Sequence, residues 1–196
     1  MVLMQPSAAW SRGRINVTMK IYTIGHSTRE LADFIDILNT YDIEILVDVR
    51  TVPRSNHTPQ FNGDTLGEAV KKSRITYHHL SDLGGLRHPR KDSINQGWRN
   101  PSFRGYADYM QTPDFERGVN ELIALAVKPT ALMCAEAVPW RCHRSMIGDA
   151  LLARSYTVVD IFDKHKTQEE TMTTFAKVSG TSIVYPADSG SIAPDS

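Results

Sequence analysis

IEILVDV, residues Ile43 to Val49, is the stretch that decides the fold. Its apolar run is too continuous for an antiparallel strand with one face in water, which would alternate apolar and polar side chains; a strand of this kind is covered on both faces, as in a parallel sheet. On its N-terminal side, Lys20 to Ile24 reads as a first strand, followed by the turn Gly25-His26-Ser27. A helix then carries Leu31, Phe34, Ile35 and Leu38 at helical spacing, with Ser27 or Thr28 as its cap and Glu30 completing a capping box with Ser27. On its C-terminal side come a helix from Asp64 to Lys72, a strand from Ile75 to Leu80, and helical patterns over Gly105 to Met110 and Pro113 to Ala126. A buried strand over Ala131 to Ala135, a helix opening at Cys142-His143-Arg144-Ser145, and a last core strand from Tyr156 to Phe162 complete the pattern. Strands alternating with helices define an α/β sandwich in three layers, with a mostly parallel sheet of about five strands.

In such sheets the ligand site is built by the strand C-termini and the loops that follow them. The polar motifs fall at those ends: Gly25-His26-Ser27 after the first strand, Asp48-Val49-Arg50 closing the second, Cys134-Ala135-Glu136 after the fourth. Two long irregular stretches, Arg50 to Gly63 and Ser81 to Arg104, carry arginines. Loops of that length in a compact domain are usually functional or disordered, and the arginines argue for function.

The chain has 196 residues, enough for one α/β domain with a substantial core. Lys plus Arg and Asp plus Glu each total 22, so net charge gives no global argument for nucleic acid or an anionic membrane. The distribution is uneven: between Arg50 and Arg104 seven Arg and three Lys face four acidic residues, which predicts a local basic face. Two cysteines make no disulfide framework, and no signal peptide or long apolar span is present, so a reduced cytoplasmic protein without a membrane partner is expected. Residues 1–18 lack strand or helix periodicity and read as a disordered leader, with Met19 as an alternative start; the single domain then runs over 19–185, and 186–196 read as a disordered tail.

The segment ALMCAEAVPWRCHRS, residues 131–145, concentrates the chemistry. A helix opening at Cys142 aims free amides and the positive end of its dipole at the turn, a natural anion site that Ser145 and the amides would line. Cys142 beside His143 and Arg144 has the features that lower a thiol pKa, and it is the candidate nucleophile; the bland reading is a small packing residue beside a capping arginine. Cys134, inside an apolar strand, reads as inert core. Strand, amide turn and arginine resemble the phosphate cradles of phosphatases and sulfurtransferases, although the Cys134 to Arg141 interval is longer than theirs, so the likeness argues only for anion binding. Cys134, Cys142 and His143, with His26 or Glu136, offer donors to zinc, but neither a C-x-x-C nor an H-x-x-x-H pair is present.

His26 reads either as a general base or as a turn residue bonded to backbone. Asp48 and Arg50, two apart on a strand, share a face, so Asp48 either orients Arg50 or Arg144 towards an anion or forms a buried structural pair. Glu136 reads as an acid or base if buried, or as an arginine anchor. In FRGYADYM, residues 103–110, Arg104 reads as an anion ligand; Tyr106 stacks a planar ring or, with Met110 four residues on, packs into the core.

Taken together, TIGHS (23–27), LVDVR with Pro53 and Ser55, LGGLR (83–87), FRGYADYM (103–110) and CAEAVPWRCHRS (134–145) resemble the domain of unknown function 488 family, over about Met19 to Ile161. The resemblance implies a compact Rossmann-like α/β domain in a bacterial or archaeal cytoplasmic protein, and it implies no established reaction. The residues lead to an enzyme acting on a phosphorylated or other anionic small molecule, a nucleotide among the candidates. Arg50, Arg87, Arg104 and Arg144 would clamp the anion; Cys142 would attack, or His26 and Glu136 would exchange protons. The alternatives are a non-catalytic module that binds a nucleotide or nucleic acid, and a zinc-binding domain.

Overall fold

The computed structural model describes residues 20–187; the leader, the alternative start at Met19 and the tail from residue 188 onwards lie outside the described residues. The fold is a Rossmann-like α/β sandwich. Its strands are β1 (Lys20–Gly25), β2 (Ile45–Asp48), β3 (Thr76–His79), β4 (Thr130–Cys134), β5 (Thr157–Ile161) and β6 (Thr167–Glu169), and its helices are α1 (Leu31–Thr40), α2 (Gly63–Lys72), α3 (Pro101–Tyr109), α4 (Pro113–Leu125) and α5 (Arg144–Leu152). The six-stranded sheet has the order β3-β2-β4-β1-β5-β6. The first five strands are parallel, and β6 adds an antiparallel edge along β5. A hairpin of β7 (Lys177–Ser179) and β8 (Ser182–Val184) stands apart from the sheet.

Alternation along each strand divides the core into two layers. Ile24, Leu46, Ala131 and Met133 meet Phe34 and Leu38 of α1 and Leu66 and Val70 of α2 on one face. Ile21, Val47, Leu132 and Val158 meet Phe115, Val119 and Leu122 of α4 and Met146, Ile147 and Leu151 of α5 on the other. All four β2 residues are buried, as the IEILVDV run requires.

Strand order brings β1 and β4 side by side, with Gly25 paired to Cys134. From β1 the chain crosses by α1 to β2; from β4 it crosses by α5, on the opposite face, to β5. The two connections leave in opposite directions and open a crevice at the strand C-termini. His26 N–H donates to the Cys134 carbonyl at 2.9 Å and Ser27 N–H to that of Ala135 at 2.9 Å, so the two post-strand loops stay zipped past the sheet edge. Gly25 is required there, because a Cβ would stand 1.8 Å from the Glu136 carbonyl oxygen.

Two local expectations are corrected. Helix α1 starts at Leu31 with Glu30 as its N-cap and no side-chain cap bond, and Ser27 adopts φ 50°, so the capping box does not form. The chain between β4 and α5 makes a 3-10 turn over Pro139–Arg141, so the helix begins at Arg144 with His143 as N-cap; Cys142 precedes it.

Candidate functional site

At the C-terminal ends of β2 and β4 a cleft of about 570 Å³ opens, lined by Arg50, Val52, Arg54, Gly85, Leu86, Phe103, Cys134, Glu136, Arg141, Cys142 and His143 among others. Cys134 ends β4 on the α5 face, and the 3-10 turn folds Cys142 back over it. Both thiols are free and buried. One ligand atom each from Cys134, Cys142 and His143 lie within 4.8 Å of one another.

His143 has a defined orientation. Its Nε2 lies 3.0 Å from the Val49 carbonyl oxygen, which can only accept, so Nε2 carries a proton. In the neutral ring the lone pair is then on Nδ1, which faces Cys142 Sγ at 3.7 Å. Gly85 makes room for the ring: a Cβ there would stand 2.3 Å from Nδ1. The cysteines are held unequally. Contact with the Cys142 thiol lowers Cys134 well below the ordinary thiol range against the opposing effect of burial, with His143 and the Arg144 charge adding to it. The same contact, with burial, pushes Cys142 well above that range. The sulfur favoured as a thiolate is thus Cys134 and not the sequence-nominated Cys142. The physical cause is that Cys134 accepts a hydrogen bond and Cys142 gives it.

Arg50 forms the cleft's buried wall. Its Nε lies 2.9 and 3.1 Å from the two Asp48 carboxylate oxygens, and its Nη2 donates to Asp48 Oδ2 at 2.6 Å and to the Phe61 carbonyl at 2.7 Å. Asp48, with no exposed surface, also accepts from Tyr77 Oη at 2.7 Å and touches no cleft; it fixes Arg50. Arg50 Nη1 lies 3.2 Å from His26 Nε2. Since a guanidinium only donates, Nε2 accepts and the His26 proton sits on Nδ1, which donates to the Ser27 carbonyl at 2.8 Å. Burial lowers the His26 pKa, Arg50 adds to the effect, and the ring stacks on Phe61 with centroids 4.2 Å apart. Both His26 nitrogens are therefore engaged, and it acts on Arg50 instead of standing free as a general base. Of the five N–H bonds of Arg50, these contacts leave one on Nη1.

The other predicted arginines do not reach the cleft. Arg144 is 1% exposed: Nε donates to Thr23 Oγ1 at 3.2 Å, Nη2 to the Ala137 carbonyl at 3.1 Å, and Nη1 to the Glu136 carbonyl. It pins the loop after β4 from within, each of its three guanidinium nitrogens donating to the protein itself. Arg87 lies over the Tyr109 ring, 3.6 Å from its centroid, and donates to the Gly84 carbonyl. Arg104 folds onto Trp98, Gln96 and Arg99. Tyr106 is fully buried with its hydroxyl on the Leu83 carbonyl, the core alternative of its two readings. Ser145 Oγ bonds the Cys142 carbonyl at 3.0 Å, and Ser27 lies half-buried in its turn. Glu136 is exposed at the rim, so burial does not make it an acid or base; its backbone carbonyl, not its carboxylate, holds an arginine.

Arg54 and Arg141 line the cleft and were passed over in the sequence. Arg141 stood directly before Cys142 in PWRCHR, the available signal; Arg54 had none beyond its place in the long loop. A second polar group, behind α5, was also not legible. Thr23 Oγ1 donates to Asp160 at 2.5 Å, Tyr185 Oη to Asp149 at 2.8 Å, and Glu170 is packed against Gly148 with Oε2 lacking a partner. Burial, reinforced by Asp160 and Asp149, pushes Glu170 up to about 9.

Fold and site define an α/β domain of Rossmann type with two cysteines, a histidine and arginines gathered at the switch point of its sheet. The chain belongs to the family described as Domain of unknown function DUF488, whose model matches residues 30–151, from the start of α1 through most of α5. The TIGHS segment lies outside the matched residues, and every residue of the sulfur and imidazole cluster lies inside. No curated protein and no solved structure matches the chain. No helix among the described residues is long and apolar enough to cross a membrane.

Proposed function

We propose that the protein is an enzyme that takes a phosphorylated or otherwise anionic small molecule into the cleft and transforms it at the Cys134, Cys142 and His143 cluster. The observation that carries this reading is the single cavity of about 570 Å³ shared by three arginines and all three cluster residues. That volume suits a small metabolite or a mononucleotide. Arg54 and Arg141 supply exposed charge at the rim, and Arg50, held by Asp48, presents its remaining Nη1 hydrogen in a fixed direction. Val52, Leu86 and Phe103 line the same cleft and suit an apolar or planar part of the ligand.

The reading is tested on reduced, chelator-treated protein by comparing alkylation of the two cysteines with iodoacetate and with iodoacetamide. Relative to a free thiol, the anionic reagent should be favoured by about tenfold, with protection by phosphomonoesters and loss of the preference in Arg141→Ala. No preference and no protection would refute it. Affinity for polyanions that falls steeply with salt and survives replacement of both cysteines would instead mark a non-catalytic nucleotide or nucleic-acid module.

A further inference from the structure

We infer that Cys134, Cys142 and His143 are three ligands of a thiophilic divalent metal ion, zinc(II) being the ordinary case, whose fourth position opens into the cleft. The three donor atoms already lie within 4.8 Å of one another. Tetrahedral zinc with sulfur at about 2.3 Å and nitrogen at about 2.0 Å needs donor separations of roughly 3.5–3.8 Å. Cys142 Sγ and His143 Nδ1 stand at 3.7 Å, so ligation requires only a small inward movement of Cys134.

The second observation concerns the histidine. A ligating imidazole characteristically donates its other N–H to a carbonyl or carboxylate, which fixes the ring and leaves the lone pair for the metal. His143 does this through Nε2 and the Val49 carbonyl at 3.0 Å, so the nitrogen left to coordinate is the one that faces the sulfur. Gly85 keeps open a point 2.3 Å from that nitrogen, which any other side chain would fill with its Cβ.

The donor set of two sulfurs and one nitrogen selects a soft or borderline ion over magnesium or calcium. Binding breaks two S–H bonds, forms two metal–sulfur bonds and sends two protons to solvent. Two thiolates neutralise the dication, so the charge of Arg50, Arg54 and Arg141 stays available to an anion. Three protein ligands with the fourth place on a cleft is the arrangement of reactive rather than purely structural zinc sites. This last use of the ion rests on the cleft being the substrate site; the ligand set does not.

The test is titration of the reduced, metal-stripped full chain with cobalt(II) alone. One equivalent should bind, with thiolate-to-cobalt absorption in the near ultraviolet and tetrahedral bands in the visible. Cys134→Ser, Cys142→Ser and His143→Gln should each weaken binding at least tenfold, and Arg87→Ala, outside the cleft, should leave it unchanged. Because a cysteine variant can lose its fold, zinc is also added to the wild-type chain during titration with an aromatic disulfide. Accessible thiols should fall from two to none. Absence of cobalt uptake by a chain with both thiols free, or uptake indifferent to all three ligand variants, would overturn the inference. Normal cobalt binding without anion binding would leave the metal site standing and remove the cleft reading; anion binding without cobalt uptake would do the reverse.

Discussion

Two arginines, Arg50 and Arg144, are both almost completely buried, yet they do opposite work. Arg144 opens α5 and reaches into a sealed polar layer with Thr23 and Asp160, and its contacts are loop carbonyls and a hydroxyl. Arg50 lies at the open end of β2, anchored by one carboxylate and turned so that part of its guanidinium lines a cleft. The difference teaches that a charge near the switch point can serve a ligand only where its guanidinium lines the open cleft. Burial alone does not separate the two, whereas their placement does: Arg50 lines the cleft and Arg144 does not.

The comparison predicts the largest effect at the sealed site. Arg144→Ala should cost about 2–4 kcal/mol by leaving two part-buried loop carbonyls and the buried Thr23–Asp160 pair without their donor. Urea denaturation would show it; an unchanged midpoint would mean that the sealed layer is not load-sharing and that Arg144 is free for another role. This replaces the expectation that Arg144 is one of the arginines that clamp the anion.

Glu170 sharpens the same contrast through pH. Its value in the fold, about 9, lies above the ordinary 4.5, so the stability associated with its neutral form is complete below pH 4.5 and is lost as pH rises towards 9. Glu170→Gln should flatten that slope and gain up to about 3 kcal/mol at pH 7. Thermal unfolding between pH 5 and pH 9, roughly the window between the two values, would check it. A variant with the wild-type slope would show that Glu170 ionises freely.

At the open edge the stability effects should be smallest and the ligand effects specific. Arg141→Ala should change stability by less than about 0.5 kcal/mol, since the residue is exposed. Affinity for a phosphomonoester should nevertheless fall about tenfold, read by calorimetry. Equal losses from Arg87→Ala, whose side chain is stacked on Tyr109, would erase the distinction between cleft and non-cleft arginines.

Much of this fold is written in local pattern. IEILVDV announced a doubly covered strand because its burial needs consecutive apolar residues, and α1, α4 and β5 were legible from their spacing. Strand β6, Thr-Gln-Glu, was not, because an exposed edge strand needs no apolar periodicity; β7 and β8, of three residues each, are too short to show a period. In the site, the segment 131–145 stood out by its residue types, and its two cysteines and His143 meet at one cleft; the adjacency of β1 and β4 was not legible, because strand order is set by long-range pairing. The failures concern arginines and His26. Their residue types show capacity to donate or accept, but the partner carbonyls that use up that capacity come from Glu136, Ala137, Trp98 and Phe61, which carry no polar signal in their side-chain pattern or lie far along the chain. The pairing of Val49 with His143 is of the same kind, a contact of a side chain with a main-chain carbonyl 94 residues away.

The central claim, that an anion binds at the open edge and not elsewhere on the basic segment, is tested most directly by amide and arginine side-chain NMR of the full chain titrated with phosphate and with adenosine monophosphate. The account predicts saturable shifts at Arg50, Arg54, Arg141 and His143, with Asp149, Asp160 and Glu170 silent. Shifts confined to Arg87 and Arg104, or no saturable shift at all, would contradict it.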